Sequence, residues 1–266
     1  PKKVNSIVAL IIIFGIISAI AYYIYNWYTN ELIETTSNIL IDKGWTTPKS
    51  TSQGETGRRT VIGGLNDSKN IDYFYFISSG LKNSKEPADI LAIIPGSNST
   101  GENQVKNTWA DFARKNNFVI ISPSFYFNME DWNNGISYQF PAVWSGKTFL
   151  RMIDDFNKYH PVNKKRLFLM GWSAGAQFVT RFALLNPDMC VAVDSHAAGG
   201  YTYPDKSIPV KFFITVGSED LGRKEAAHNF YNQLINAGII SSFKIYDNLG
   251  HDIFNEQITD LLNFLA

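Results

Sequence analysis

From residue 58 onward, short apolar runs alternate with stretches whose apolar positions recur every three to four residues. "RRTVIGG" and "IDYFYFI" are strand-like and close enough to form a hairpin. "DILAIIP", "FVIIS", "RLFLMG", "CVAVDS", "VKFFITVG" and "FKIYDN" follow as further strands. Helical periodicity falls at 103–115, 146–159, 174–185, 223–237 and 252–265. This alternation predicts a mostly parallel sheet with helices on both faces. In such sheets sites form beyond the carboxyl ends of the strands, and Gly96, Ser173, Asp220 and His251 each come just after one.

The N-terminus breaks the pattern. Residues Ile7 to Tyr25 carry no charge and are interrupted only by Gly15 and Ser18, behind Lys2 and Lys3. As a helix the run reaches about 28 Å, close to the roughly 30 Å of a bilayer's hydrocarbon. It is expected to be a membrane anchor with its lysines in the cytoplasm and the rest of the chain outside. The competing reading is a secretory signal cleaved after Ala21, since Ala19-Ile20-Ala21 has the small-x-small form. Residues 1–25 are thus assigned to an anchor or signal. Residues 26–57, ending in "TTPKSTSQGETG", are assigned to a polar spacer, and residues 58–266 to the folded domain.

Composition narrows the chemistry. The chain holds 24 basic and 24 acidic residues, so it offers no electrostatic footprint for a phosphate backbone, and nucleic acid is not expected as a partner. Cys190 is the only cysteine, which excludes an internal disulfide and a cysteine-rich metal site; it is expected to be buried. No phosphate-cradling glycine loop and no metal-spaced histidine cluster occurs, so no cofactor or metal is expected.

The chemistry concentrates at "LFLMGWSAGAQFV". A strand that reverses into a helix at Ser173 holds that residue in strain, tolerable only beside small neighbours, and Gly171, Ala174, Gly175 and Ala176 supply them. A serine hydroxyl needs a base and a carboxylate that orients the base. Of the four histidines, His251 in "NLGHDIF" follows the last strand and is the expected base; His196, at the end of "VDSH", is the alternative. His160 and His228 read as packed or solvated. Asp220, closing "FFITVGSED", is the expected carboxylate, with Glu219 and Asp194 as rivals and Asp252 read as a helix cap.

The order nucleophile, acid, histidine on these elements resembles the α/β-hydrolase family, from about Arg58 to the end of the chain. Within it, "LFLMGWSAGAQFVTRFALLNPD" is similar to secreted polyhydroxybutyrate depolymerases and feruloyl esterases. The resemblance implies the α/β-hydrolase fold and hydrolysis of a small or polymer-derived carboxylic ester through an acyl-serine. It also implies an oxyanion hole from the backbone N–H groups of Ala174 and Ser97. Pro95-Gly96 stands where the family commonly has His-Gly, which bears on the second donor. A peptidase, thioesterase or acyltransferase using the same serine, or a non-catalytic binding module of the fold, are the alternatives.

Residues 124–145 lack regular periodicity yet carry seven aromatic rings. They either pack over the core or line an acyl pocket. Trp132 and Tyr138, flanked by polar residues, are expected to face the cleft.

Overall fold

The computed structural model describes residues 49–50, 54–97, 99–253 and 255–265. The apolar segment read as an anchor or signal lies outside the described residues, among which no helix is long and apolar enough to cross a membrane. The strands are β1 (Lys49–Ser50), β2 (Gly54–Gly63), β3 (Lys69–Ser78), β4 (Ala88–Ile94), β5 (Phe118–Pro123), β6 (Val162–Trp172), β7 (Cys190–His196), β8 (Lys211–Gly217) and β9 (Ser241–Tyr246). The helices are α1 (Ser79–Lys82), α2 (Asn107–Asn116), α3 (Met129–Asn133), α4 (Ser145–Asn157), α5 (Ala174–Leu185), α6 (Leu221–Asn236) and α7 (Asn255–Leu265).

The strands join one sheet in the order β1-β2-β3-β5-β4-β6-β7-β8-β9. β1 to β3 are antiparallel, with β3 antiparallel to β5; from β5 to β9 every pairing is parallel. After β4 the chain adds β5 on one side and then crosses to β6 on the other. That reversal opens a crevice at the strand ends, where an open α/β sheet places its ligand.

Apolar residues on both faces of the parallel strands demand two helical layers. On one face Phe149 and Phe156 of α4, Phe178 and Phe182 of α5, and Phe230 of α6 pack with Ile90, Val193 and Phe212 of the sheet. On the other, Trp109 and Phe112 of α2 and Leu261 of α7 pack with Leu91, Ile120 and Phe213. Cys190 is buried as expected, and burial pushes its thiol up to about 12, far from reactive.

The sheet begins earlier than the composition suggests. Within the stretch read as spacer, Glu55 of β2 is buried. It accepts the Tyr75 hydroxyl at 2.8 Å and pairs with Lys82. A buried acid is tolerated where a cation and a donor meet it, and its polar character disguises a strand.

Residues 124–145 pack mainly over the core. The Phe125 ring lies 5.4 Å from Tyr138, 5.5 Å from Trp144 and 5.4 Å from Phe178. Phe178 also meets Phe149 edge-on at 5.9 Å, so it joins α4, α5 and the aromatic segment. Phe178→Ala is expected to destabilise the protein by about 3–5 kcal/mol, read as a lower urea midpoint at unchanged slope.

Candidate active site

β6 ends at Trp172 and α5 begins at Ala174, so the reversal falls on Ser173, at φ 56° and ψ −115°. For a residue with a Cβ this conformation costs on the order of 1–3 kcal/mol and persists only if the surroundings enforce it. They do. The Ser173 N–H donates to the His196 carbonyl at 2.9 Å, and the Gln177 N–H donates to the Ser173 carbonyl at 3.3 Å. At Gly175 a Cβ would stand 2.6 Å from the Pro95 carbonyl oxygen and nearer still to that of Ile94. The first turn of α5 therefore abuts the exit of β4 backbone against backbone.

This contact faces the helix N-terminus, where N–H groups lack helical partners, with the loop after β4. Ala174 is buried in the first turn of α5, and Ser97 is half-buried in a turn closed by Ser99 N–H donating to Gly96 at 3.2 Å. Tyr138 departs from expectation. It is 1% exposed, and its hydroxyl donates to the Pro95 carbonyl at 3.0 Å. It props this loop from below and does not face an open cleft, because the partner for its hydroxyl lies inside the fold. Trp132, on α3, is half-buried and stacks on Phe140 at 5.4 Å.

Asp220 and His251 come from the loops after β8 and β9, which are laced together. Ser218 N–H donates to Tyr246 at 2.8 Å, Glu219 N–H to Leu249 at 2.9 Å, and Asn248 N–H to the Ser218 hydroxyl at 3.0 Å. Gly217 permits this, since a Cβ there would sit 2.5 Å from the Gly250 carbonyl oxygen. Laced in this way, the loops set His251 Nδ1 2.7 Å from Asp220 Oδ2 and His251 Nε2 2.9 Å from Ser173 Oγ. A carboxylate only accepts, so Nδ1 carries the proton and Nε2 is left to accept from the serine hydroxyl. The other oxygen, Asp220 Oδ1, accepts from Arg223 at 3.1 Å. Arg223 was missed in the sequence, although its i+3 spacing from Asp220 at the start of a helix marks it.

Behind His251 stands a second constellation. The Trp172 indole stacks on the His251 ring at 5.3 Å. His196, fully buried, has Nε2 2.8 Å from the Asp252 carbonyl and Nδ1 2.9 Å from the Thr215 hydroxyl. The carbonyl can only accept, so Nε2 donates and Nδ1 accepts from Thr215. Burial pushes His196 down to about 4, which keeps it neutral. His196 thus clamps the residue after His251 and does not contact Ser173 as the alternative base.

The other rivals separate equally clearly. Glu219 is exposed, and Asp194 is fully buried with neither oxygen hydrogen-bonded among the described residues, so desolvation drives its carboxyl to the neutral form. Asp252 is not the helix cap expected of it: α7 starts at Asn255, and Asp252 accepts from the adjacent Ile253 N–H. His160 packs between Tyr75 and Phe156, and His228 is exposed on α6. No metal-binding cluster occurs among the described residues.

No family model matches the chain, and no curated protein is similar to it in sequence. Solved structures are similar over most of its length. An S-formylglutathione hydrolase from Agrobacterium tumefaciens superposes with a TM-score of 0.63 at 12% identity, covering 82% of this chain and 96% of that one. A ferulic acid esterase from Anaeromyces mucronatus gives 0.63 at 13%, covering 81% and 91%. A poly(aspartic acid) hydrolase from Sphingomonas sp. KT-1 gives 0.57 at 19%, covering 79% and 97%. The fold is that of the α/β-hydrolases. Within that fold Ser173 stands on the turn between β6 and α5, Asp220 follows β8, and His251 follows β9.

The depressed His196 value has a consequence for stability. Above pH about 6.5 the ring is neutral whether the chain is folded or not. As pH falls from there towards 4, only the unfolded chain takes up the proton, so stability is lost, on the order of 3 kcal/mol in all. In His196→Gln, whose amide keeps a donor and an acceptor without titrating, this loss is absent. The unfolding free energies of wild type and variant should therefore converge between pH 7 and 4.5 in urea titrations.

Proposed function

We propose that this chain is a serine hydrolase that cleaves carboxylic esters through an acyl-serine intermediate. The observation that carries the reading is the hydrogen-bonded line Ser173–His251–Asp220, at 2.9 and 2.7 Å, on a strained turn at a helix N-terminus. His251 Nε2 takes the hydroxyl proton as Ser173 Oγ attacks the ester carbonyl, and Asp220 stabilises the imidazolium that forms. The carbonyl oxygen, now negative, is met by the N–H groups of Ala174 and Ser97. Collapse of the tetrahedral species breaks the ester bond, and the imidazolium protonates the departing alcohol. Water then repeats the cycle on the acyl-serine, releasing the acid and restoring the hydroxyl.

The names of the similar structures, which act on S-formylglutathione and ferulic acid esters, support acyl transfer from an activated carbonyl. With residues 7–25 as an anchor or leader, the substrate is met outside the cytoplasm.

A fluorophosphonate probe should label the wild-type protein on Ser173, and Ser173→Ala should lose both labelling and ester turnover, the latter by roughly a millionfold. Asp220→Asn, which disfavours the required tautomer, is expected to lower kcat by about 10⁴ while the fold persists. Labelling of Ser173→Ala at the wild-type rate would show that the nucleophile lies elsewhere.

A further inference from the structure

Two turns along α5 from Ser173, the chain holds a charged cavity that the mechanism does not use. It encloses 450 Å³, within the roughly 300–1,000 Å³ of small-molecule sites. Pro141, Leu184 and Ile208 form apolar walls, and Tyr203 and Leu185 stand at it more than half exposed, though water should disfavour both.

Arg181 lines this cavity, eight residues beyond Ser173 and so about 12 Å along the helix axis. Its guanidinium is held in place on several sides. Nη1 donates to the Gln139 carbonyl at 2.8 Å and to Gln177 Oε1 at 3.2 Å, and Nε donates to the Thr202 hydroxyl at 3.3 Å. The Phe140 ring covers it at 4.6 Å. Every one of these partners is neutral, and among the described residues no carboxylate pairs with Arg181 and Nη2 makes no hydrogen bond. Burial accordingly pulls the guanidinium down to about 10, with no acid offsetting it. A half-buried cation left without a counter-ion is costly, and an anion reaching Nη2 would offset that cost. The other charged groups lining the cavity are Lys206 and Asp205, which cancel, so the net charge offered is that of Arg181.

We propose that this cavity binds a monoanionic carboxylate carried on an apolar body, with Arg181 Nη2 as the donor to the carboxylate and Pro141, Leu184 and Ile208 around the body. With Nη1 and Nε already engaged, the fixed Nη2 keeps its N–H groups for a carboxylate oxygen, a charge-assisted contact, and the surplus of one positive charge suits a single negative one. Such an acid is either free, as the product of ester cleavage is, or the remote end of a long substrate whose ester sits at Ser173. Binding of the acid rests on the cavity's own geometry, and only its assignment to substrate or to free acid rests on the ester-cleaving reading.

The test is calorimetric, on the full-length protein, with 4-phenylbutyrate as the probe and its neutral amide as the control. The acid should bind, and the amide should bind about ten- to a hundredfold more weakly, the worth of one charge-assisted hydrogen bond. Arg181→Gln should remove that preference. Leu184→Trp, which fills the cavity and leaves every Arg181 hydrogen bond in place, should abolish binding of both, so the result does not hang on whether Arg181→Gln folds. Neither variant should change fluorophosphonate labelling of Ser173, which keeps this test separate from that of the reaction. A p-nitrophenyl ester with a distal carboxylate distinguishes the two sources. A KM raised by Leu184→Trp for that ester and not for its methyl-capped analogue assigns the site to substrate; an unchanged KM with lost phenylbutyrate binding assigns it to free acid. The proposal is overturned if the acid and amide bind alike, if neither binds at millimolar concentration, or if Leu184→Trp leaves binding intact.

Discussion

The site depends on backbone meeting backbone where no side chain can fit. At Gly175 the first turn of α5 is pressed onto the carbonyls of Ile94 and Pro95, and at Gly217 the loop carrying His251 is pressed onto the end of β8. The first contact holds the helix start against the loop bearing Ser97. The second brings a histidine and an aspartate from different strand ends within hydrogen-bonding distance. Strain at Ser173 is tolerable because these packed segments leave it no relaxed alternative.

Environment, more than residue type, separates the acids and the histidines. Asp220 is nearly buried but meets Arg223 and His251, whereas Asp194, on the neighbouring strand β7, is fully buried with no hydrogen bond among the described residues, and desolvation pushes its carboxyl well above the usual range. His251 remains about a third exposed, open to a substrate, while His196 is sealed with both ring nitrogens occupied. Water access is graded along the line, from a protected carboxylate to a reachable imidazole.

Much of this was legible in the chain. The α5 boundaries follow from apolar spacing between a glycine-flanked turn and Pro187, and the parallel strands follow from short β-branched runs. Ser173, Asp220 and His251 were legible because each lies in the turn or loop that follows a strand. What was hidden depends on partners distant in sequence. Glu55 reads as linker because its cation, Lys82, and its donor, Tyr75, arrive only on folding. Tyr138 reads as a cleft residue because its polar neighbours suggest water, yet a carbonyl 43 residues away takes its hydroxyl. His196 reads as a possible base because tautomer and burial are properties of the packed sheet.

The hydrogen bond from Ser173 to His251 spans 78 residues and crosses strands that pair in parallel, so it closes only after the intervening βα units have docked. Parallel pairing between distant segments is slow to form, since loop-closure entropy must be met before the contacts reward it. During refolding, secondary structure and collapse should therefore run ahead of the completed serine–histidine contact. Formation of the Ser173–His251 hydrogen bond then becomes a clock for the last step of folding, reporting the moment the sheet is complete rather than the moment the chain becomes compact.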